Sequence, residues 1–558
     1  MSSSRKMESS SVLLLVRWFS VPLAFAVVAP FLNAANTPAS QPQSAAGPPQ
    51  ITVSENKTVL PPTTPPKPAL GASMPLRLKD AIAVTIQKNQ NILIAQQQVA
   101  MARGQAQTSA GPFDPLIAAQ LQSNRSSSGS ASSNTTQTTS SIPGLSRTSG
   151  AQAGVRTLLR NGLTIAPQVT YSNEFEIEDG ETWTDGSGIA GVTVGIPLLA
   201  GLGTNNQFAS NERAAAVNVK ASQAQLDFIT SQQIYNTTSA YWNLLLAQTN
   251  VRIALSQEAG ARRLIGITEA LIQGYVEPAI QLAQAKANLE QYTSQRLSAE
   301  LGQSVASQQL AVAMGYTPQE LLAEPVAVDP FPDVPAEPML QIEDIRRFML
   351  LAMKLRPDVR AREDVIEANK ILLAGYKNAA LPTMNLSVGG GVQRGSLSTT
   401  YDSTTVSDTQ NGLIVGAGLD FQYPFFNNAA EGQVAQQISE LDQSRTQLSL
   451  TESQISSDVI TAAKSVILNR KALDQAIKSA KNAQISVGAQ EQLFAMGMAS
   501  LVEVITTQTS LATAQLSVAD NMTNYALALA ALRFATGTLN ADNFSAPLKD
   551  ILIQQIKK

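Results

Sequence analysis

Neither cysteine nor histidine occurs anywhere in the 558 residues. Without them there are no disulfides, no thiol nucleophiles, no Ser–His–Asp triad and almost no route to a zinc site. A lipid-modified cysteine is excluded as an N-terminal anchor, and any enzyme would have to work with carboxylates or a Ser–Lys pair. Charge is also scarce. Asp, Glu, Lys and Arg make up 15% of the chain, against roughly 25% in ordinary soluble domains. The balance of 39 basic and 42 acidic residues, 39 − 42 = −3, gives no electrostatic case for a nucleic-acid partner. Apolar residues stand at an ordinary 44%. Gln, Ser, Thr and Asn therefore fill the missing charge, giving a wet but weakly charged surface. No stretch reaches the roughly 18–20 uninterrupted apolar residues of a spanning helix. A position in a membrane would require a closed β-barrel; otherwise the chain is a soluble exported protein.

Export is expected from the first 35 residues. Arg5, Lys6 and Arg17 precede an apolar run from Val21 to Leu32, interrupted by Pro30, and small residues follow at Ala34 and Ala35. Positive, apolar and small residues in that order resemble a secretory signal. Residues 36–75 then carry ten prolines, among them the pairs Pro48–Pro49, Pro61–Pro62 and Pro65–Pro66. Prolines at this density predict an extended tether with no fold of its own.

From Leu76 onward similar statements are made twice. Leu-Arg-Leu-Lys-Asp at 76–80 returns as Leu-Gln-Ile-Glu-Asp at 340–344, and the spacing of Ala95, Val99 and Ala102 returns in Ala361, Val365 and Ala368. Each opening helix leads to a proline, Pro115 or Pro382, and then to alternating residues. Met384, Leu386, Val388 and Val392 share one side of a strand whose other side is Asn385, Ser387, Gly389, Gly391 and Gln393. Segments 413–423, 116–122 and 189–196 alternate likewise. A period of two gives each strand one apolar and one polar face. Lengths near ten residues suit a tilted strand in a bilayer, although a half-buried soluble sheet alternates in the same way. Asp420, a candidate acid for an enzyme, falls on the polar side. Residues 126–150 and 396–410 are rich in Ser, Thr and Gly and predict solvated loops. An additional pair, 153–159 and 163–171 around the turn Asn161-Gly162, has no match in the second half. It either enlarges a barrel or packs elsewhere.

Long helices follow the strands, each approached through a proline turn, at Pro197 and at Pro424. Val434, Ile438, Leu441, Leu448, Ile455, Val459, Ala462 and Val466 keep a register close to 3.5 residues per repeat, the pattern of left-handed helix packing. Some 65 residues of helix would reach on the order of 100 Å. A coiled-coil stalk explains such helices but leaves the strands unexplained. Breaks at Gly274 and Gly497 read as helical-hairpin tips, since glycine tolerates the left-handed conformation at a helix end. Both second helices end at a glycine, Gly315 and Gly537, 41 and 40 residues beyond the tips. The pattern predicts two structural repeats, 76–318 and 339–540. A proline-rich segment (319–338) separates them and a C-terminal tail (541–558) follows.

In this order the pieces resemble the TolC-like outer membrane efflux protein family. They include Arg356-Pro-Asp-Val-Arg-Ala361, the Pro197-Leu-Leu-Ala-Gly201 turn, and Gly497-Met-Ala-Ser-Leu-Val-Glu-Val504 followed by Thr506-Thr-Gln-Thr-Ser-Leu511. The resemblance covers nearly all of 76–540. It implies a mixed α and β fold in which a long antiparallel α-helical barrel continues into a transmembrane β-barrel. Three identical subunits would build it, with four strands from each. It implies a bacterial outer membrane location with a periplasmic extension, and a segment 319–338 at the belt of the helical tube. The implied partners are a periplasmic adaptor protein and, through it, an inner-membrane transporter, in efflux or type I secretion. The tip residues Gly274, Tyr275, Val276, Gly497, Met498 and Leu501 would dock the adaptor.

Family members commonly narrow the periplasmic mouth with acidic residues after the tips. The corresponding positions here are Gln281, Ala499, Glu503 and Thr506, and only Glu503 keeps a carboxylate. Three copies of Glu503 would make a small acidic ring, unless it is simply a solvated helix residue. No enzymatic activity, cofactor, metal or nucleic acid is expected. The alternative is an exported structural helical protein, a filament or surface protein without a channel.

Overall fold

The computed structural model describes residues 73–128, 144–178, 181–333, 344–401 and 404–539. The expected export signal, nearly all of the proline-rich tether and the C-terminal tail lie outside these residues.

The first half opens with a short strand β1 (Ser73–Leu76) and two helices, α1 (Leu78–Lys88) and α2 (Gln90–Ala110). Four strands follow: β2 (Leu116–Ser128), β3 (Gly144–Leu158), β4 (Thr164–Glu178) and β5 (Glu181–Pro197). Then come the long helix α3 (Gln207–Gln273), its partner α4 (Ile280–Ala313) and the strand β6 (Glu324–Ala327). The second half has two helices, α5 (Asp344–Leu355) and α6 (Pro357–Ala379), and two strands, β7 (Thr383–Tyr401) and β8 (Thr404–Gln422). A long helix α7 (Asn428–Ala495) and its partner α8 (Leu501–Ala535) complete it.

The helices run as far as the sequence lets them. No proline interrupts the 67 residues of α3 or the 68 of α7, so each extends to about 100 Å at 1.5 Å per residue. The Asn206 side chain caps α3 by accepting from the Ala209 N–H at 2.9 Å. One face of α7 is buried through Leu441, Ile455, Val459, Ala462 and Val466. From Ile455 onward this stripe packs on Ile345 and Phe348 of α5 and on Tyr525 and Leu532 of α8. Ile438, which shares the sequence register, is 41% exposed in the single chain.

Each half fixes its returning helix in the same way. Gly315, just after α4, has φ +82°, and a Cβ there would lie 2.6 Å from the Cα of Asn89. Asn89 itself caps α2 and donates its amide to the Ala313 carbonyl at 2.8 Å. Gly537, just after α8, has φ +70°, and its Cβ would meet the Arg356 backbone N at 3.0 Å. Arg356 is buried. It forms a bidentate pair with Asp358 at 3.0 and 2.7 Å and lies over the rings of Phe228 and Phe534. Pro357 takes the first position of α6, where its missing N–H leaves nothing unsatisfied. The Arg-Pro-Asp motif is thus a helix start, a buried ion pair and a glycine contact at once.

Where the resemblance implies a belt, β1 and β6 pair in parallel. Residues 73–75, expected to be part of an unstructured tether, are therefore a strand. Their partners in 324–327 supply the ladder that Pro75 alone could not. Tyr241 is fully buried beside them. Its hydroxyl accepts from the N–H groups of Val328 and Asp329 at 3.1 and 3.0 Å. Its one proton faces the Leu76 carbonyl at 3.0 Å and the Asp329 carboxylate at 3.1 Å.

The remaining strands form one antiparallel sheet in the order β2-β3-β4-β5-β7-β8. The additional pair found in the first half thus lies inside the sheet, between β2 and β5. The strands are also longer than their alternation suggested, 13 to 19 residues. Residues 126–128, 144–150, 396–401 and 404–410, expected as loops, belong to them. Their sequence is mostly polar, with Leu145, Leu397, Tyr401 and Val406 too scattered to alternate, so the ladder continues with no period for a sequence to display.

Candidate functional site

Cross-strand register builds two unlike faces on the sheet. One row joins Ala119, Ala153, Val169, Ala190, Val392 and Leu413 across all six strands. Above and below it the same face carries Leu121, Tyr171, Val194, Val388 and Leu419. In β8 this apolar face runs from Leu413 to Phe421, nine residues, about the length of a tilted membrane-spanning strand. The opposite face is small and polar. One of its rows joins Gly154, Gln168, Gly191 and Gly391. A Cβ on Gly391 would sit 2.5 Å from the Ala190 carbonyl oxygen, so only glycine permits that approach. Among the described residues the edge strands β2 and β8 each have a neighbour on one side only, and β8 is exposed along its whole length.

Four connections join the sheet directly to helices: α2 to β2, β5 to α3, α6 to β7 and β8 to α7. Pro197 and Pro424 stand at two of them, as expected. Around the second, Phe421, Tyr423, Phe425 and Phe426 are all exposed, a cluster of rings at the border between sheet and helices.

The helices end at two adjoining hairpin tips. Gly497 takes the left-handed conformation, φ +72°, and a Cβ there would meet Val276 of the other tip at 2.9 Å. Gly274 departs from expectation: its φ is −77°. The left-handed residue is its neighbour Tyr275, with φ +58°, held by N–H bonds from Tyr275 to Ile272 (3.1 Å) and from Val276 to Leu271 (2.9 Å). Beneath the tips Leu264, Ala285, Phe494, Leu501 and Val504 form a closed core. Leu501, expected among the docking residues, is fully buried there and offers a partner no surface. The outermost side chains are Tyr275 (97% exposed), Val276, Met498, Met496 and Ile280. Met496 and Ile280 escaped the sequence reading. Their only signal was apolar character flanking a turn.

The positions expected to line the mouth differ among themselves. Glu503 is exposed and completes a capping box: its carboxylate accepts from the Ser500 N–H at 3.0 Å, while Ser500 Oγ accepts from the Glu503 N–H at 3.3 Å. The negative charge therefore also sits favourably at the positive end of α8. Gln490 donates to the same carboxylate at 3.2 Å. Thr506 is exposed one turn on, its hydroxyl bonded to the Val502 carbonyl at 2.8 Å. Ala499 and Gln281 are half-buried.

Farther up, a charge cluster ties α3 to α4. The Glu258 carboxylate accepts from Arg262 at 2.6 Å and from Arg296 at 2.7 Å, and Arg296 also pairs with Glu300. Arg262 and Arg296 together hold the Glu258 carboxyl below the usual carboxylate range, against the opposing effect of burial. The i, i+4 spacing of Glu258 and Arg262 was a legible cue; the reach to Arg296 on another helix was not. Among the described residues, no helix is long and apolar enough to cross a membrane, and no cluster of three or more acidic side chains could hold a metal.

Residues 351–538, from α5 to the glycine after α8, match the outer membrane efflux protein family. The outer membrane protein TolC of Escherichia coli is 26% identical over 357 residues, which cover 60% of this chain and 68% of TolC. The chain is thus similar to TolC-like outer membrane efflux proteins. Among solved structures, the chain is similar to the CmeC outer membrane channel of Campylobacter jejuni, with TM-score 0.57 and 16% identity over 86% of this chain and 89% of CmeC. The outer membrane protein VceC of Vibrio cholerae aligns with TM-score 0.56 and 14% identity, covering 82% of this chain and 96% of VceC. The family match and the likeness to TolC support an outer membrane efflux channel and give no support to an exported structural filament.

The Glu258 cluster has a pH signature. A carboxyl whose pKa is depressed in the fold stabilises it above the ordinary carboxylate pKa, and the contribution fades as pH falls through the folded value. Limited proteolysis near the tips should therefore accelerate in acid below the ordinary carboxylate range. In Glu258→Gln that acid-dependent rise should be smaller, with faster cleavage already at neutral pH.

Proposed function

We propose that three copies of this chain close their sheets into one transmembrane barrel and their helices into one continuous periplasmic tube. The tube passively conducts solutes delivered by a periplasmic adaptor and an inner-membrane pump. The observation that carries this is the pairing of two unlike sheet faces with two unpaired edges. A bilayer cannot satisfy the exposed N–H and C=O groups of an open edge, and β2 and β8 are such edges. Six strands alternate up and down, so β8 of one copy meets β2 of the next in antiparallel sense. The apolar rows then face lipid, the Gln, Thr, Ser and Gly rows face water, and the rings at Phe421–Phe426 lie at the interfacial level where barrels carry aromatic girdles. No step forms or breaks a covalent bond; a polar lumen keeps the solute hydrated.

The corresponding helix order in the two halves supports a duplicated subunit. The exposed apolar crown of Tyr275, Val276, Met496 and Met498 supports adaptor docking at the tips. With Tyr275→Asp and Met498→Asp together, drug efflux should be lost while the trimer still forms in outer membranes. Undiminished resistance would contradict docking at the tips. Three Glu503 carboxylates at the mouth would favour cations by focusing the field. Glu503→Gln should then weaken cation preference in planar-bilayer recordings, and an unchanged reversal potential would remove the ring.

A further inference from the structure

We infer that the hairpin β3–β4 is part of the channel wall, so that the closed barrel has 18 strands and an outer mouth as wide as the helical tube beneath it. This rests on the trimeric reading above and adds to it the size of solute the mouth admits.

The hairpin is built as wall. Val169 lies opposite Ala153 on one side and Ala190 on the other, within the apolar row that crosses every strand. Gln152, Gln168 and Thr170 continue the polar face, with Gln152 donating to Gln168 at 3.3 Å. A hairpin destined for the lumen would have no use for an apolar side in register with its neighbours. Its lower turn is also fixed to the frame. A Cβ on Gly162 would lie 2.0 Å from the Gly201 carbonyl oxygen, Asn206 donates to the Arg160 carbonyl at 2.8 Å, and Arg160 pairs with Glu212 at 2.7 Å.

Widths decide the rest. Each chain hangs four helices from its sheet, with α2 against α3, α3 against α6 and α6 against α7. Helices packed about 8–10 Å apart make a row roughly 32–40 Å wide. Six strands about 4.8 Å apart and tilted about 40° span roughly 38 Å, whereas four would span only about 25 Å. Six strands therefore match four helices without a taper. Three copies give a barrel about 36 Å across between backbones, against about 24 Å for twelve strands. In one row of the inner face Gly154, Gly191 and Gly391 add no side chain to that width, while Gln168 and Ile414 of the same row do.

The test uses the full chain, whose lack of cysteine makes single-site labelling clean. Light scattering gives the copy number of the detergent-solubilised protein. A nitroxide on Val169→Cys in bilayers reports collisions with oxygen against a water-soluble nickel complex. Neutral polymers of graded size, added on the outer side of a planar bilayer, report the mouth. A trimer whose label meets oxygen but not nickel, and which admits polymers about 20 Å across, supports the inference. Excising residues 144–178 should then lower the size limit to about two-thirds. Should the excised chain fail to fold, the label and the polymer limit of the full chain still decide. A trimer with a nickel-accessible Val169 and a limit near that of a twelve-stranded barrel would overturn the wide wall and leave the trimeric channel standing. A copy number other than three would overturn both.

Discussion

The structure depends on the backbone hydrogen bonds at the two edges of one sheet. Inside the sheet every strand from β3 to β7 has a neighbour on both sides, and its N–H and C=O groups are spoken for. At β2 and β8 they are not. In water an open edge is a liability that proteins manage with charge or bulges; in hydrocarbon it is prohibited. The edges here carry Ile117, Leu121, Leu413, Val415 and Leu419 on the apolar side, and their charges, Arg125, Asp408 and Asp420, lie outside that set. In the proposed trimer such a chain is one sector of a ring.

The helices solve a different problem. A long rod has little to bury along most of its length, and the exposed Gln, Ser and Thr of α3 and α7 are suited to water on both sides. The stiff points are few and specific. Gly315 and Gly537 lock each returning helix onto the break between the two short helices of its own half, and Tyr241 fastens the β1–β6 pair. The packed tips bring Gly497 against Val276, so the two hairpins end together and present one apolar crown. Between these points the Glu258 cluster ties neighbouring helices through charge, which leaves that stretch responsive to acid.

Much of this was legible in the chain. The strands at 384–393 and 413–423 declared themselves by alternation, and the rods by the absence of proline. The tips showed as glycine breaks. What stayed hidden had physical reasons. The outer halves of the strands are mostly polar and so have no period. The strand at 73–76 is fixed by a partner some 250 residues away and looks like tether in isolation. Gly274 drew attention because glycine adopts positive φ easily, yet the turn places that burden on Tyr275. Leu501 looked like a surface anchor because it follows the tip, but its position at the start of α8 turns it into the core with Phe494. Whether 153–171 joined the sheet could not be read from the pair alone, since register is a property of neighbours.

The central claim is that copies of this chain share one wall around one water-filled passage. Electron cryo-microscopy of the full chain in lipid nanodiscs tests it most directly. The expected map has three-fold symmetry, a continuous ladder from β8 of each copy to β2 of the next, and an open lumen running from barrel to helices. A sheet closed within a single chain, or a body with no passage along its axis, would contradict it.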